Sequence, residues 1–200
     1  MSEMTAPAPA APEGSFEVEW ERPPRPARPR NVILIGFSFT GKSTIGRLLA
    51  RRLRWRPVDT DREIRERTGL TPQQIFAQQG EAAFRAIERE VVRDVCRRRR
   101  QVIATGGGAP MDPENRAAMF DGNVVVLLDA SPEAILGRLR NSMSGESRPL
   151  LESPDPLERI RSLKAERDRV YRQAHLVIET ERLTAMESAE LIYRLARLRG

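Results

Sequence analysis

NVILIGFSFTGKSTIGRLLA, residues 31–50, decides the fold of this chain. The apolar run at 31–36 predicts a buried strand, and the apolar spacing that begins at Lys42 predicts a helix. Between them, Gly36 to Ser43 matches the pattern G-x-x-x-x-G-K-[ST] in the strand–loop–helix context that this pattern requires. The stretch therefore predicts a phosphate-binding P-loop rather than a glycine turn that merely begins a helix.

The residues of this phosphate loop, 36–43, are each expected to contribute to nucleotide binding. Glycine lets the backbone wrap closely around phosphates, and the helix start presents free N–H groups and a positive dipole end. We expect Lys42 to reach the β- and γ-phosphates and the Ser43 hydroxyl to bind Mg²⁺. The predicted ATP-binding residues of this stretch are Gly36, Phe39, Thr40, Gly41, Lys42, Ser43 and Thr44.

Four more strands, alternating with helices, are predicted after the first helix. The strands are expected at 55–60, 102–105, 123–129 and 176–180, and the helices at 42–54, 62–68, 72–79, 81–99, 131–141, 156–172 and from about 184. The continuous Val and Leu run at 123–129 is typical of a strand buried on both faces. The alternation predicts an α/β fold, with a five-stranded parallel sheet flanked by helices.

Composition limits the remaining possibilities. The chain has 200 residues, 40% of them hydrophobic, so it can bury one substantial core. It contains no apolar run long enough to span a membrane, and its single cysteine, Cys96, suits a reducing cytosol. The net charge of +6 fits either nucleic acid or a polyanionic small ligand. We expect a cytoplasmic monomer without membrane or nucleic-acid partners.

The chain divides into a tail and a domain. Residues 1–30 hold seven of the fifteen prolines, and this composition predicts a disordered, proline-rich tail. The domain is predicted at 31–200. Within it, the polar and turn-rich residues at about 142–153 are predicted to form a mobile lid.

Two carboxylates follow the second predicted strand. Asp59 and Asp61 lie two residues apart, so both side chains can point towards the carboxyl edge of the sheet, where α/β proteins bind ligands. One carboxylate can serve the metal, and the other can accept a hydrogen bond from a substrate hydroxyl. The alternative for Asp61 is the N-cap of the next helix, and the two roles can coexist.

Four further motifs, in this order and at these separations, resemble the shikimate kinase family. The resemblance runs from about Asn31 to the C-terminus. Its motifs are Val58-Asp59-Thr60-Asp61 with Thr68-Gly69; Ile75-Phe76 with Gly80-Glu81 and Phe84-Arg85 to Glu88; the glycine triplet Gly106-Gly107-Gly108; and Arg148-Pro149-Leu150-Leu151 followed by Tyr171-Arg172.

The resemblance implies transfer of the ATP γ-phosphoryl group to the 3-hydroxyl of shikimate, in aromatic amino-acid biosynthesis, with Mg²⁺ as cofactor. Taken alone, Arg85 would be a solvated residue at the rim of an apolar helix stripe, flanked by Glu81 and Glu88. The resemblance implies that Ser43 and Asp59 bind the metal, that Arg148 is a catalytic lid arginine on the ATP phosphates, and that Arg140 lies near adenine. It implies that Asp61 binds the ring hydroxyls of shikimate and takes the proton of the attacking hydroxyl. It also implies that Arg85 and Arg172 bind the shikimate carboxylate, and that Gly106, Gly107 and Gly108 let the substrate approach the backbone.

Two alternatives remain open from the sequence. One is another small-metabolite P-loop kinase, of the gluconate-kinase-like or nucleoside monophosphate kinase type. The other is a non-catalytic nucleotide-binding or nucleic-acid-binding regulator, which the basic charge suggests. A GTPase is not expected, because neither Lys42 nor Lys164 lies in an N-K-x-D segment.

Overall fold

Five strands form the centre of the computed structural model, which describes residues 22–141 and 153–196. The strands are β1 (Val32–Ile35), β2 (Arg56–Asp59), β3 (Gln101–Ala104), β4 (Val124–Asp129) and β5 (Leu176–Glu179). Neighbouring strands are all parallel, in the order β2-β3-β1-β4-β5. The predicted five-stranded parallel sheet is confirmed.

Helices pack on both faces of the sheet. Those in the described residues are α1 (Lys42–Leu53), α2 (Thr60–Thr68), α3 (Pro72–Arg97), α4 (Pro113–Phe120), α5 (Pro132–Asn141), α6 (Pro156–Tyr171) and α7 (Ala185–Leu195). Helices α1 and α7 share one apolar core with the central strands, and α2 to α6 share the other. Both cores depend on β1 and β4, which are therefore almost fully buried. None of the helices described here is long and apolar enough to cross a bilayer.

The strands end close together at one edge of the sheet. Asp59, the last residue of β2, pairs with Ala104, the last residue of β3. Ile35, the last residue of β1, pairs with Leu127, two residues before the end of β4. The connections that leave this carboxyl edge are where open α/β sheets bind ligands.

Two helical features differ from the sequence prediction. Helix α4 is not predicted, although Asp112 caps it and Pro113 opens its first turn. Two helices are predicted on either side of Gly80, and the structure joins them as α3 with a break at that residue, where φ is 82° and ψ is 173°. Glycine adopts this conformation readily, so the residue type explains the break.

Residues 22–30 belong to the predicted disordered tail, but the structure places them against the domain. Arg22 donates to Ala174 O at 2.9 Å, and Arg25 donates to Leu195 O at 2.7 Å. This part of the tail therefore has defined contacts near the beginning of β5 and the end of α7. The rest of the predicted tail lies outside the described residues.

His175 joins this segment to the sheet. Its Nδ1 accepts from the Val125 N–H at 2.9 Å, and its Nε2 lies 3.1 Å from Pro23 O. Because Nδ1 accepts a hydrogen bond, the proton of the neutral ring is on Nε2 and can be donated to the Pro23 carbonyl. The ring also packs against Phe120, with 5.0 Å between the two ring centres.

Candidate active site

The phosphate loop between β1 and α1 has an unusual backbone. Gly36 has a φ of 137°, and a Cβ atom there would overlap Leu128 O on the neighbouring strand. Gly41, with a φ of 95°, forms the N-cap of α1. Phe39 also has a positive φ, 64°, which is uncommon for a bulky side chain. A strained loop that opens a helix in this way is typical of anion-binding sites.

Lys42 is buried in this loop and bonds to the loop's own backbone. Its Nζ donates to Gly36 O at 2.9 Å and to Phe37 O at 2.6 Å. Burial lowers the pKa of Lys42 from 10.5 to about 8, although the charges of Asp61 and Asp59 oppose this change. The ammonium group therefore lies at the centre of the loop and close to both carboxylates.

Ser43 and Asp59 place two oxygen ligands side by side. The Ser43 hydroxyl donates to Asp59 Oδ2 at 2.6 Å. Hydroxyl and carboxylate oxygens suit a hard cation such as Mg²⁺, so the donor set fits the predicted metal. In the described ranges, no group of three or more His, Cys, Asp or Glu side chains could hold a metal. An ion bound by these two oxygens would leave positions for phosphate oxygens and water.

Asp61 lies in the first turn of α2, and the helix cap belongs to Asp59. Asp59 Oδ1 accepts from the N–H groups of Asp61 and Arg62, so the alternative N-cap role of Asp61 is wrong. Asp61 Oδ1 lies 2.9 Å from the position that a Cβ atom would take at Gly106. A side chain at that position would meet the carboxylate, and glycine avoids this clash. A cavity of about 800 Å³ borders Asp61, Asp59 and Ser43, but Lys42 and the glycine triplet do not line it.

Arg85 lies over the last glycine of the triplet. Its Nη1 and Nη2 are 3.1 and 3.3 Å from the position that a Cβ atom would take at Gly108. Nη1 donates to Glu88 Oε2 at 2.7 Å, and Nη2 donates to Glu81 Oε1 at 3.2 Å. Burial raises the pKa of Glu88, and the ion pair with Arg85 opposes this rise. The two glutamates orient the guanidinium group, as the spacing of these residues predicts.

The structure does not bring Arg172 to the glycine triplet. Its guanidinium group pairs with Asp129 at 3.3 Å and with Asp168 at 3.2 Å, and 52% of the side chain is exposed. The predicted partnership of Arg172 with Arg85 therefore needs correction. Residue 172 follows the last turn of α6, where its side chain meets the end of β4 instead.

Arg167, five residues earlier on α6, is the arginine that approaches the triplet. Its Nη1 lies 3.5 Å from the position that a Cβ atom would take at Gly107, and its guanidinium carbon lies 5.4 Å from the centre of the Phe37 ring. Tyr171 donates to Gly107 O at 2.6 Å and also hydrogen-bonds with Arg167. Arg167 and Arg85 thus approach consecutive glycines.

Arg138, two residues before Arg140, contacts the phosphate loop. Its Nη1 lies 3.3 Å from Phe39 O and 3.0 Å from Thr180 Oγ1, and its Nη2 donates to Thr180 O at 2.7 Å. Arg140 is exposed at the end of α5, and its place near adenine stays a prediction. Arg138 therefore lies beside the phosphate loop.

Thr40, Thr44 and Arg148 are the remaining predicted site residues. Thr40 is buried, and its hydroxyl donates to Phe37 O at 2.9 Å. Thr44 is exposed on α1. Arg148 and residues 142–152 of the predicted lid lie outside the described residues, so their roles stay predictions.

Known proteins resemble this chain over most of its length. The model of the family described as shikimate kinase matches residues 39–196. A shikimate kinase of Geobacter metallireducens is 48% identical over 155 residues, which are 78% of this chain and 85% of that protein. A shikimate kinase of Thermus thermophilus is 45% identical over 181 residues, 88% of this chain and 96% of that protein. The solved shikimate kinase of Acinetobacter baumannii in complex with shikimate gives a TM-score of 0.77 at 37% identity and covers 84% of this chain and 93% of its own.

Proposed function

The chain belongs to the shikimate kinase family, and on that premise we propose how its residues transfer the γ-phosphoryl group of ATP to the 3-hydroxyl of shikimate. The products are ADP and shikimate 3-phosphate, in the pathway to chorismate and the aromatic amino acids. The observation that carries the site assignment is the approach of Arg85 and Arg167 to consecutive glycines beside the phosphate loop.

The nucleotide half of the site is the phosphate loop. Its backbone N–H groups surround the phosphates, and Lys42 exchanges the carbonyls of Gly36 and Phe37 for β- and γ-phosphate oxygens. Ser43 and Asp59 hold Mg²⁺, which neutralises charge on the phosphates when it is bound. These interactions bind ATP and stabilise the charge that develops as the phosphoryl group moves.

The acceptor half is the glycine triplet and its surroundings. Arg85 and Arg167 bind the carboxylate of shikimate, because a planar guanidinium group matches a carboxylate in two parallel hydrogen bonds. The triplet lets the ring approach the backbone without meeting a side chain. Asp61, beside Gly106, accepts a hydrogen bond from the ring hydroxyls and takes the proton of the attacking one.

The charges of the two halves favour anionic ligands on both sides. Arg167 lies close enough to Lys42 for its charge to contribute to lowering the lysine pKa, although burial is the larger cause. Two neighbouring cations repel each other and therefore gain from a bound anion between them. Neutral sugars offer no such compensation, which supports an acid as acceptor.

Positioning supplies most of the catalysis in this proposal, since phosphoryl transfer needs little covalent help from the protein. Arg148 completes the site from the lid, where it reaches the ATP phosphates and helps exclude water. We further propose a cytoplasmic monomer without nucleic-acid or membrane partners. Burial raises the pKa of the Cys96 thiol to about 12 and leaves it unsuited to disulfide exchange.

The test is turnover with competing acceptors. Purified full-length protein is given ATP, Mg²⁺ and, in separate reactions, shikimate, gluconate or AMP, and ADP production is followed by a coupled assay. We expect turnover with shikimate and none above background with the other two. Turnover with gluconate or AMP but not with shikimate would overturn the proposal, and strongly salt-dependent DNA binding without ADP production would favour a regulator.

A further inference from the structure

Asp129, the last residue of β4, joins the sheet to α6. Its Oδ1 lies 2.9 Å from Lys164 Nζ, and its Oδ2 lies 3.3 Å from Arg172 Nη2. The Asp129 and Lys164 side chains are only 15% and 19% exposed, so this ion pair is largely shielded from water. The contact with Arg172, which is half exposed, is weaker.

Arg167, the second arginine of the proposed acceptor site, lies between Lys164 and Arg172 along the chain. Arg167 comes three residues after Lys164 and five before Arg172. At about 100° per residue, Lys164, Arg167 and Tyr171 project from one face of α6. At one end of that face Lys164 contacts Asp129, and at the other end the Tyr171 hydroxyl donates to Gly107 O.

These two attachments restrain the rotation of α6 about its axis. We propose that Asp129 is a positioning residue for the acceptor acid: through Lys164, it holds α6 in the rotation that presents Arg167 to the glycine triplet. Asp129 touches no group that we assign to substrate. This inference rests on the proposed function, since it concerns the binding of the shikimate carboxylate by Arg167.

The residue type of Lys164 supports this role. Lys42 and Lys164 are the two lysines among the 34 basic residues, and all the others are arginine. Asp129 Oδ1 also accepts from the Ala130 N–H at 2.9 Å, so the carboxylate is itself fixed by the backbone. A compact ammonium group bound to a fixed carboxylate defines a single point of attachment on the helix.

Loss of the contact between Asp129 and Lys164 should affect the KM values for ATP and for shikimate differently. Loss of the Asp129 charge leaves the phosphate loop and Lys42 in place, so the KM for ATP should change little. Rotation of α6 would weaken the binding of the acid by Arg167, which is a loss of substrate binding more than of the chemical step. The expected signature is a raised KM for shikimate.

The experiment compares Asp129→Asn with Lys164→Gln and with the double variant, each in the full-length chain. We expect Asp129→Asn to raise the KM for shikimate by about tenfold, with kcat and the KM for ATP within about twofold of the unchanged chain. Lys164→Gln should act in the same direction. The double variant should be no worse than Asp129→Asn, because the two residues act through one contact.

Two controls make the result specific. Asp168→Asn removes the other, half-exposed partner of Arg172 and should leave the KM for shikimate within about twofold. Lys164→Arg keeps the charge but not the compact ammonium group, so it should restore only part of the affinity that Lys164→Gln loses. Thermal unfolding of every variant identifies any that fail to fold, and Lys164→Gln decides the question if Asp129→Asn is one of them.

An unchanged KM for shikimate in folded Asp129→Asn or Lys164→Gln overturns the inference. An equal rise in the KM for shikimate and the KM for ATP also overturns it. The proposed function is judged separately, by shikimate turnover of the unchanged chain and by the response to Arg167→Ala. If Arg167→Ala raises the KM for shikimate while Asp129→Asn does not, only the positioning role falls. If the unchanged chain does not use shikimate, both fall.

Discussion

The Ser43 hydroxyl donates a 2.6 Å hydrogen bond to Asp59 Oδ2, which links the phosphate loop to the end of β2. The same carboxylate caps α2 through its other oxygen, so Asp59 has both oxygens in use. The two predicted metal ligands are therefore held together by the fold itself. A metal held here would find its protein ligands already in place, because the cap fixes the carboxylate.

Replacing Asp59 tests the metal assignment. Asp59→Asn keeps a side chain that can cap α2 but loses the negative charge, so the fold should persist and the affinity for Mg²⁺ should fall. We expect the Mg²⁺ concentration for half-maximal rate to rise by about tenfold. Asp112→Asn, at the cap of α4, is the matched control and should leave this concentration unchanged. Equal Mg²⁺ curves for both variants would remove Asp59 from the metal site.

The pKa of Lys42 predicts a pH limit for ATP use. Burial lowers this pKa to about 8, so the free protein loses the ammonium charge as the pH rises through that value. We expect kcat/KM for ATP, which reports the free enzyme, to fall above about pH 8. Lys42→Arg has a charge that does not titrate in this range, so its lower residual activity should show no such fall. An identical alkaline limb in both proteins would assign it to another group.

Asp61→Asn tests the role of Asp61 at the acceptor hydroxyl. Asparagine keeps the shape but cannot take a proton, so kcat should fall by about 100-fold or more while the protein remains folded. Glu66→Gln, an exposed carboxylate on the same helix, is the control and should be near normal. A near-normal kcat for Asp61→Asn would limit Asp61 to a structural role.

The two arginines of the proposed clamp should behave alike. Arg85→Ala and Arg167→Ala should each raise the KM for shikimate by about 10- to 100-fold, because each removes a charged hydrogen-bond partner of the carboxylate. Arg172→Ala should have a smaller effect, since its side chain meets Asp129 and Asp168. Arg159→Ala, exposed on α6, serves as the control. An Arg172→Ala effect larger than that of Arg167→Ala would restore the assignment made from sequence.

His175 predicts a loss of stability in acid. Burial lowers its pKa, the hydrogen bond with Pro23 O opposes this change, and the charges of Arg22 and Arg25 add to the lowering. The folded state therefore binds a proton less readily than the unfolded chain, so the stability present above about pH 6.5 is lost as the pH falls towards the folded-state pKa.

His175→Asn is the variant for this test, because asparagine keeps an acceptor for the Val125 N–H but does not titrate. Urea unfolding at about pH 7 and about pH 5 should show a smaller acid loss in this variant than in the unchanged chain. The same loss in both would mean that other groups, such as paired carboxylates, account for the acid sensitivity.

The sheet and the phosphate loop could be predicted from sequence because their signals are local. Gly36 and Gly41 occupy backbone conformations that exclude most side chains, and the apolar runs of β1 and β4 reflect burial on both faces. Helix α4 escapes prediction because eight residues carry little periodicity, although Asp112 and Pro113 are a typical helix start.

The second arginine of the clamp could not be predicted from the spacing of motifs. Arg167 lies in α6 and Arg172 directly follows it, and the motif Tyr171-Arg172 indicates the arginine that pairs with Asp129 and Asp168. The rotation of a helix about its axis decides which side chain faces a site, and contacts with the sheet set that rotation. The spacing of Lys164, Arg167 and Tyr171 on one face was the available signal.

The contact of Arg22 with Ala174 has a practical consequence for handling this protein. Ala174 precedes β5, so the chain meets the domain at the amino ends of the strands, whereas the phosphate loop and the glycine triplet lie at their carboxyl ends. A purification tag or reporter fused directly to Arg22 would therefore begin on the far side of the molecule from the reacting groups. Such fusions suit immobilised assays, in which both substrates must reach an unobstructed entrance.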